Sequence, residues 1–286
     1  MLTSKREVVR LSPALGAEVR GVDLAQPLQE IDREFLRKAW SDHLVLVLRH
    51  DKPVSAEAQM DFCRTFGEIG ARARPVEARL EPDNAPQNVM YVSNKREGGR
   101  IIGSLPDGEM EFHIDQSYLE NPAIGGCLHA LEIPRSGGDT LFGNLCLAWD
   151  TLPKELKRAV AGLKVLNIFN HNGYGTQSRI ANDVESASYR TLHPIVRKHP
   201  MSGREFLYVN RLMSACIEGL PESESDDILF KLFDHQEKPE FVYKHKWRRY
   251  DLLLWDNRCC IHARTDFDKN ETRHLRRFSI RDSAAR

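Results

Sequence analysis

Residues 251–282 read DLLLWDNRCCIHARTDFDKNETRHLRRFSIRD. Two apolar runs, 252–255 and 275–280, have the composition of strands, and the spacer between them is polar and irregular instead of helical. The same grammar extends back along the chain, with strand-like runs at 44–48, 90–93, 112–118, 124–133, 140–142, 194–197, 206–209 and 241–246. Four helical patterns lie among them. Ile31, Phe35, Leu36, Trp40 and Leu44 recur at helical spacing, and Ser55 caps a run holding Met60, Phe62, Cys63 and Phe66 before Gly67. Leu152, Leu156, Ala159, Val160 and Leu163 mark a third helix, and Ile228, Leu229, Leu232 and Phe233 a fourth. Strands that do not alternate strictly with helices argue against a doubly wound parallel sheet. The pattern predicts a mainly β protein with peripheral helices, an antiparallel sandwich or jelly roll.

Composition narrows the function. The 286 residues carry 41 Lys+Arg against 41 Asp+Glu, so the net charge is +0 and there is no general pull toward nucleic acid or an anionic membrane. A chain of this length buries roughly three quarters of its unfolded surface and needs no disulfide to hold a core. A single domain over residues 1–286 is expected. Two loop-like stretches, 71–87 and 170–188, interrupt it without dividing it. MLTSKREVVRLSPALGAEV lacks the apolar core of a secretory signal, and nowhere do 18 apolar residues run together, so the expectation is a cytoplasmic protein. Cys63, Cys127, Cys146, Cys216, Cys259 and Cys260 show no CxxC spacing and are read as reduced and mostly buried.

Chemistry enters at GEMEFHIDQSY, 108–118, where His113 and Asp115 stand two apart in a strand-like run and project from one face. Composition alone supplies roughly 0.7 such His-x-Asp triplets, so the motif acquires weight only in company; by itself a surface histidine beside a turn aspartate is the better account. His262, after an apolar strand, supplies a third candidate ligand. Two imidazoles and one carboxylate form the facial triad of non-haem Fe(II) oxygenases, which leaves one face of the octahedron for a bidentate 2-oxo acid and dioxygen. Arg273 and Arg277 follow 11 and 15 residues after His262, four apart on the last strand. Their planar forks suit carboxylates, although RHLRR also reads as a solvated basic edge. In SGGDTLFGN, 136–144, Thr140 opens a strand with a hydroxyl able to share a carboxylate with an arginine, and a plain hairpin turn fits the same residues.

Taken together, FHID, GGDT, WDNRCCIH and RHLRR resemble the motif set of the Fe(II)/2-oxoglutarate-dependent taurine and 2,4-dichlorophenoxyacetate dioxygenase family (TauD/TfdA-type). The resemblance extends from GAEVRGVDL and HLVLVLRH through FVYKHKW to the final strand. It implies a double-stranded β-helix, or jelly roll, and an enzyme using Fe(II), 2-oxoglutarate and O2 to hydroxylate a small anionic sulfonate or carboxylate, with release of succinate and CO2. It further implies that His113, Asp115 and His262 are the catalytic iron ligands, that Thr140 and Arg273 bind the distal carboxylate of 2-oxoglutarate, and that Arg277 receives the acidic group of the substrate. The taurine enzyme carries a histidine after FGE, where this chain reads IGARARPV with Arg72 and Arg74, and Glu109 stands near the position of an expected asparagine. These departures point away from taurine itself.

Tyr118, just past the ligand strand, is the further substrate-contact candidate; Trp255 and Phe278 read as core or pocket wall, His129 as a core histidine, and His171 as a loop histidine. The expected partner is a small molecule, with neither nucleic acid nor membrane involved, and the expected assembly is a homo-oligomer. Two alternatives stay open: the same chemistry on an aryloxyalkanoate or amino-acid-like substrate, and a non-catalytic cupin-type metal-binding sensor, which would have no use for Thr140 and Arg273 at cosubstrate spacing.

Overall fold

The strands 45–48 (VLVL) and 252–256 (LLLWD) are buried at every residue because both their faces are covered. In the computed structural model, which describes residues 5–71, 80–82, 84–105, 108–169 and 187–283, they pair antiparallel at the centre of the largest sheet. That sheet runs Glu7–Arg10, Ala17–Arg20, Val45–Leu48, Leu252–Asp256, Gly125–Glu132, His274–Arg281, and both Glu68–Ile69 and Met90–Ser93 pair with the last of these. A second sheet of four strands runs Val242–His245, Thr140–Asn144, Cys260–Arg264, Met110–His113. From Met110–His113 to Gly125–Glu132 to Thr140–Asn144, and again from Leu252–Asp256 to Cys260–Arg264 to His274–Arg281, the chain steps from one sheet to the other. This alternation is the double-stranded β-helix.

Alternate side chains of the larger sheet serve two cores. Val47, Leu128, Leu253, Trp255 and Leu275 face the smaller sheet and meet Phe142 there. Leu46, Leu48, Leu252, Leu254, Phe278 and Ile280 face the other way and meet Leu36, Trp40 and Phe62 of the helices Glu30–His43 and Ala56–Arg64. The period-2 alternation of a strand thus fixes which residues can reach the space between the sheets. Gly126 is required by that packing, since a Cβ there would lie 2.2 Å from the Trp255 ring.

Three local expectations are corrected. The third helix is shorter than its apolar spacing over 152–163 suggests, running Lys154–Ala159, and a separate, unexpected helix, Leu145–Thr151, precedes it, the two kept apart by Pro153, which cannot supply the N–H that would carry one into the other. Asn144 caps Leu145–Thr151 by accepting the Leu147 N–H at 3.0 Å. The strand expected over 112–118 ends at His113, so Asp115 sits in the turn that follows. Arg273 immediately precedes the last strand, which begins at His274 with a register shift before Leu275. The strands Lys164–Phe169 and Ser214–Ile217 and the strand Cys260–Arg264, which carries His262, had no periodic signal strong enough to announce them. The helices Glu30–His43, Ala56–Arg64 and Glu222–Gln236 fall where expected, and among the described residues no helix is long and apolar enough to cross a membrane. All six cysteines are free, five of them buried.

Candidate metal and cosubstrate site

His113 and His262 face each other across adjacent strands of the smaller sheet, in direct register and with ring centroids 4.1 Å apart. The turn after His113 swings Asp115 back between them. Its Oδ1 lies 3.7 Å from His113 Nε2 and its Oδ2 3.5 Å from His262 Nε2, and all three side chains are buried. The turn is held from 142 residues away: Asn257 accepts the Asp115 N–H at 3.0 Å and donates to the carbonyls of Asp115 and Ala123 at 2.9 and 2.8 Å. The His262 ring packs on Phe142 and Trp255, with centroids 6.1 and 4.9 Å away.

The protonation states suit a cation. Burial pushes both imidazoles below their usual range, with each opposed by the positive groups around it, so they are neutral. Burial works against the charge of Asp115, but the Arg277 guanidinium, by its charge and its hydrogen bond, outweighs it and holds the carboxyl below the usual carboxylate range. The His113 Nδ1–H donates to the Glu111 carbonyl at 2.9 Å, which fixes the tautomer and leaves the Nε2 lone pair directed at the cluster. Two neutral nitrogens and one carboxylate oxygen, all within 4.8 Å of one another, fit a divalent transition metal such as Fe(II).

A second buried cluster, His199, Asp256 and Cys259, has similar spacing but the wrong tautomer. His199 Nδ1 accepts the Ser202 N–H at 3.1 Å, so the proton sits on Nε2 and is directed at Asp256 Oδ2, 3.0 Å away. Arg258 takes both carboxylate oxygens of Asp256 as well. That aspartate is already satisfied, and the group is structural.

From the triad a cavity extends between the sheets to Thr140 and Arg273, walled by Val92, Leu128 and Trp255. Arg273 is 3 % exposed; its Nε–H donates to the Gly138 carbonyl at 3.0 Å, and no carboxylate pairs with it among the described residues. Burial, aided by the nearby Arg264, pushes its pKa down to about 9. Gly138 permits the approach, being left-handed at φ +63° with Arg273 Cδ only 3.0 Å from where a Cβ would lie. Thr140 accepts the Trp247 indole N–H at 3.0 Å. Arg277 also lines the cavity. One of its terminal nitrogens donates to Asp115 Oδ2, its plane lies over Trp255, and its buried Nε has no partner.

Tyr118 is not part of this cavity wall; it is buried, stacked on Phe169 at 4.5 Å with Tyr189 at 5.5 Å. Glu109 is exposed. Arg72, Arg74 and His171 lie outside the described residues. His129 is a structural histidine: Nε2 accepts the Val54 N–H at 3.0 Å, Nδ1 lies 3.2 Å from the Asp251 carbonyl, and burial lowers its pKa to about 4. Sequence reasoning missed Asn257, Trp247 and Arg264. Arg264 lines the cavity while its guanidinium donates to the carbonyls of Leu105 and Gly108 at 2.7 Å each.

Comparison with known proteins agrees with this arrangement. Residues 7–279 match the model of the family described as taurine catabolism dioxygenase TauD, TfdA family. The chain is 31 % identical to an alpha-ketoglutarate-dependent 2,4-dichlorophenoxyacetate dioxygenase of Cupriavidus pinatubonensis, over 96 % of this chain and 97 % of that one. It is 32 % identical to pentalenolactone F synthase of Streptomyces arenae, over 95 % and 94 %. Among solved structures, a taurine dioxygenase from Burkholderia xenovorans superposes with a TM-score of 0.78 at 29 % identity, covering 97 % of this chain and 91 % of that one. AAD-2 in complex with Mn(II) and N-oxalylglycine does so at 0.77 and 27 %, covering 97 % and 98 %.

Proposed function

The chain belongs to the taurine and 2,4-dichlorophenoxyacetate dioxygenase family and is an Fe(II)- and 2-oxoglutarate-dependent dioxygenase, and from that premise we propose which of its residues do the work. His113, Asp115 and His262 hold the metal; Thr140 and Arg273 take the distal carboxylate of 2-oxoglutarate; Arg277 receives the acidic group of a small organic anion. When bound, the ferrous ion with 2-oxoglutarate and dioxygen supplies the oxidising chemistry, yielding succinate, CO2 and a hydroxylated substrate.

The observation that carries the assignment is a cavity lined at one end by the two imidazoles of the triad and at the other by a buried arginine that makes no ion pair among the described residues. A lone buried cation is costly, and a carboxylate entering beside it recovers that cost. Thr140 and Arg273 therefore fix the far end of the cosubstrate, and the triad fixes the metal-binding end. Val92, Leu128 and Trp255 exclude water from the space between. At Arg277 the contact with Asp115 occupies one terminal nitrogen, and the unpartnered Nε keeps a donor available for an anion in the same cavity. A sensor that binds metal alone would gain nothing from Arg273, so turnover is the better reading.

The substrate class follows the acids and sulfonates named for relatives: aryloxyalkanoates first, since the 2,4-dichlorophenoxyacetate enzyme matches along almost its whole length, then organosulfonates such as that of a Saccharomyces cerevisiae relative. Tyr118 belongs to this proposal only as support for the wall behind the ligand turn. We take residues 1–286 as one domain acting in the cytoplasm as a homo-oligomer, without nucleic acid, in keeping with the neutral charge; light scattering tests the assembly. The deciding experiment is succinate release from anaerobically loaded Fe(II) protein and 2-oxoglutarate on admitting oxygen, across phenoxyacids, sulfonates and amino acids. Stimulation by an acid, abolished in Arg277→Ala, is expected; stimulation only by uncharged compounds would refute the role of Arg277.

A further inference from the structure

The Thr140 hydroxyl is not free to choose its hydrogen-bonding role. Trp247 donates its indole N–H to Thr140 Oγ1 at 3.0 Å. An indole nitrogen only donates, so this bond consumes a lone pair of the hydroxyl and sends the hydroxyl proton elsewhere. Thr140 is 4 % exposed and lines the cavity, and among the described residues its hydroxyl has no acceptor. The indole is itself fixed. The His245 ring, opposite Thr140 in the strand register, meets it edge-to-face at 4.5 Å and 89°. His245 is buried, with Nδ1 2.9 Å from the Tyr243 hydroxyl and Nε2 3.2 Å from Asp251 Oδ2. Asp251 is anchored in turn by Arg49 at 2.6 Å and the Arg248 N–H at 2.9 Å.

We propose that Trp247 is a positioning residue for the cosubstrate: by donating to Thr140 it locks that hydroxyl as a donor aimed at the distal carboxylate of 2-oxoglutarate. The inference rests on the reading of Thr140 and Arg273 as the distal-carboxylate site. Its consequence is selectivity. With one lone pair of the hydroxyl spent on the indole and Arg273 able only to donate, the side chains at that end present mainly donors, which an ionised carboxylate satisfies with both oxygens. A terminal amide brings an NH2 that must compete for the remaining hydroxyl lone pair, so it is held less well. Without the indole N–H the hydroxyl turns, and its lone pair faces the carboxylate for part of the time.

Calorimetric binding of 2-oxoglutarate to the Mn(II)-loaded protein, a redox-inert substitute for the ferrous form, tests this without turnover. Trp247→Phe should raise the dissociation constant roughly three- to tenfold, the range of one net hydrogen bond. In a Thr140→Val background the same substitution should change it by less than about twofold, because the hydroxyl through which it acts is gone. An undiminished effect in that background would show that Trp247 acts by packing and would overturn the inference. So would an unchanged constant in Trp247→Phe while Arg273→Ala weakens binding. If Arg273→Ala and Thr140→Val both leave the constant unchanged, the cosubstrate reading itself fails, and the inference with it. Should Trp247→Phe not fold, benzothienylalanine at position 247 replaces the N–H by sulfur with the ring shape kept, and the same two outcomes decide.

Discussion

Replacing Arg273 by methionine should separate folding from cosubstrate binding. This guanidinium is almost fully buried, with the Gly138 carbonyl as its hydrogen-bond acceptor and, among the described residues, no carboxylate in ion-pair contact with it, the charge of Asp139 only partly opposing the effect of burial. The fall of its pKa from the ordinary 12.5 to about 9 corresponds to a charge held at a cost of about 5 kcal/mol. Methionine fills a similar volume without the charge, so the unliganded variant should unfold at a denaturant concentration equal to or above that of the parent. Only the Gly138 carbonyl loses a donor, about 1 kcal/mol against the larger relief. Binding of 2-oxoglutarate should move in the opposite direction: truncating one partner of a buried charged contact removes about 2 to 5 kcal/mol, or roughly 30- to 5,000-fold in the dissociation constant. Equilibrium denaturation with and without 2-oxoglutarate, beside calorimetry on the Mn(II) form, reads both quantities. A variant that binds 2-oxoglutarate within threefold of the parent would refute the placement of the distal carboxylate. One that binds weakly but is also destabilised by several kcal/mol would refute the claim that the cation is unpaired before the cosubstrate arrives.

Three further outcomes are expected. His113→Ala, Asp115→Ala and His262→Ala should each fail to retain stoichiometric Fe(II) on anaerobic gel filtration, and each should lose 2-oxoglutarate-dependent succinate formation; retention of metal by any one removes that residue from the ligand set. Asn257→Ala unpairs the Asp115 N–H and two buried carbonyls, so it should cost about 3 kcal/mol in chemical denaturation and weaken Mn(II) binding, whereas equal Mn(II) affinity would make the asparagine purely structural. Because burial lowers the His113 and His262 pKa values below the ordinary 6.5, the unfolded chain takes up these protons first. Stability and metal affinity should therefore hold above that value and be lost as the pH falls below it; a Mn(II) affinity that instead drops between pH 8 and 7 would contradict neutral imidazoles in the empty site.

The parts of this site legible in sequence are those where side-chain chemistry and local spacing coincide. His113 and Asp115 stand two apart, and the 11-residue interval from His262 to Arg273 survives because both flank one sheet-to-sheet crossing. The geometry behind the first pair was nevertheless not the one the spacing suggested. Asp115 reaches the cluster from a turn, held there by Asn257, and not from a shared strand face. Asn257 and Trp247 were illegible for a common reason: each acts through a partner more than 100 residues away, and no short-range period records such a pairing. The helix expected over 152–163 forms only as Lys154–Ala159, starting at Pro153 and ending before Gly162, and the helix Leu145–Thr151 before it was not expected.

Strand pairing fixes the two candidate metal-binding histidines relative to each other. His113 and His262 are opposed on neighbouring strands, and a slip of one residue would turn one of them to the other face of the sheet. The pairing shifts register between His262 and Arg264, so beyond the histidines the strands are free to diverge. There Arg264 leaves the ligand geometry and spends its guanidinium on the carbonyls of Leu105 and Gly108, tying down the segment that leads into the ligand strand. On the other side, Thr140 pairs with Arg264 and with His245, so the cosubstrate end is built on the same ladder as the metal end. His113, His262 and Thr140 are therefore set by backbone pairing, whereas Arg277 leans in from the facing sheet and donates to Asp115 Oδ2, so its substitution is expected to disturb that aspartate as well.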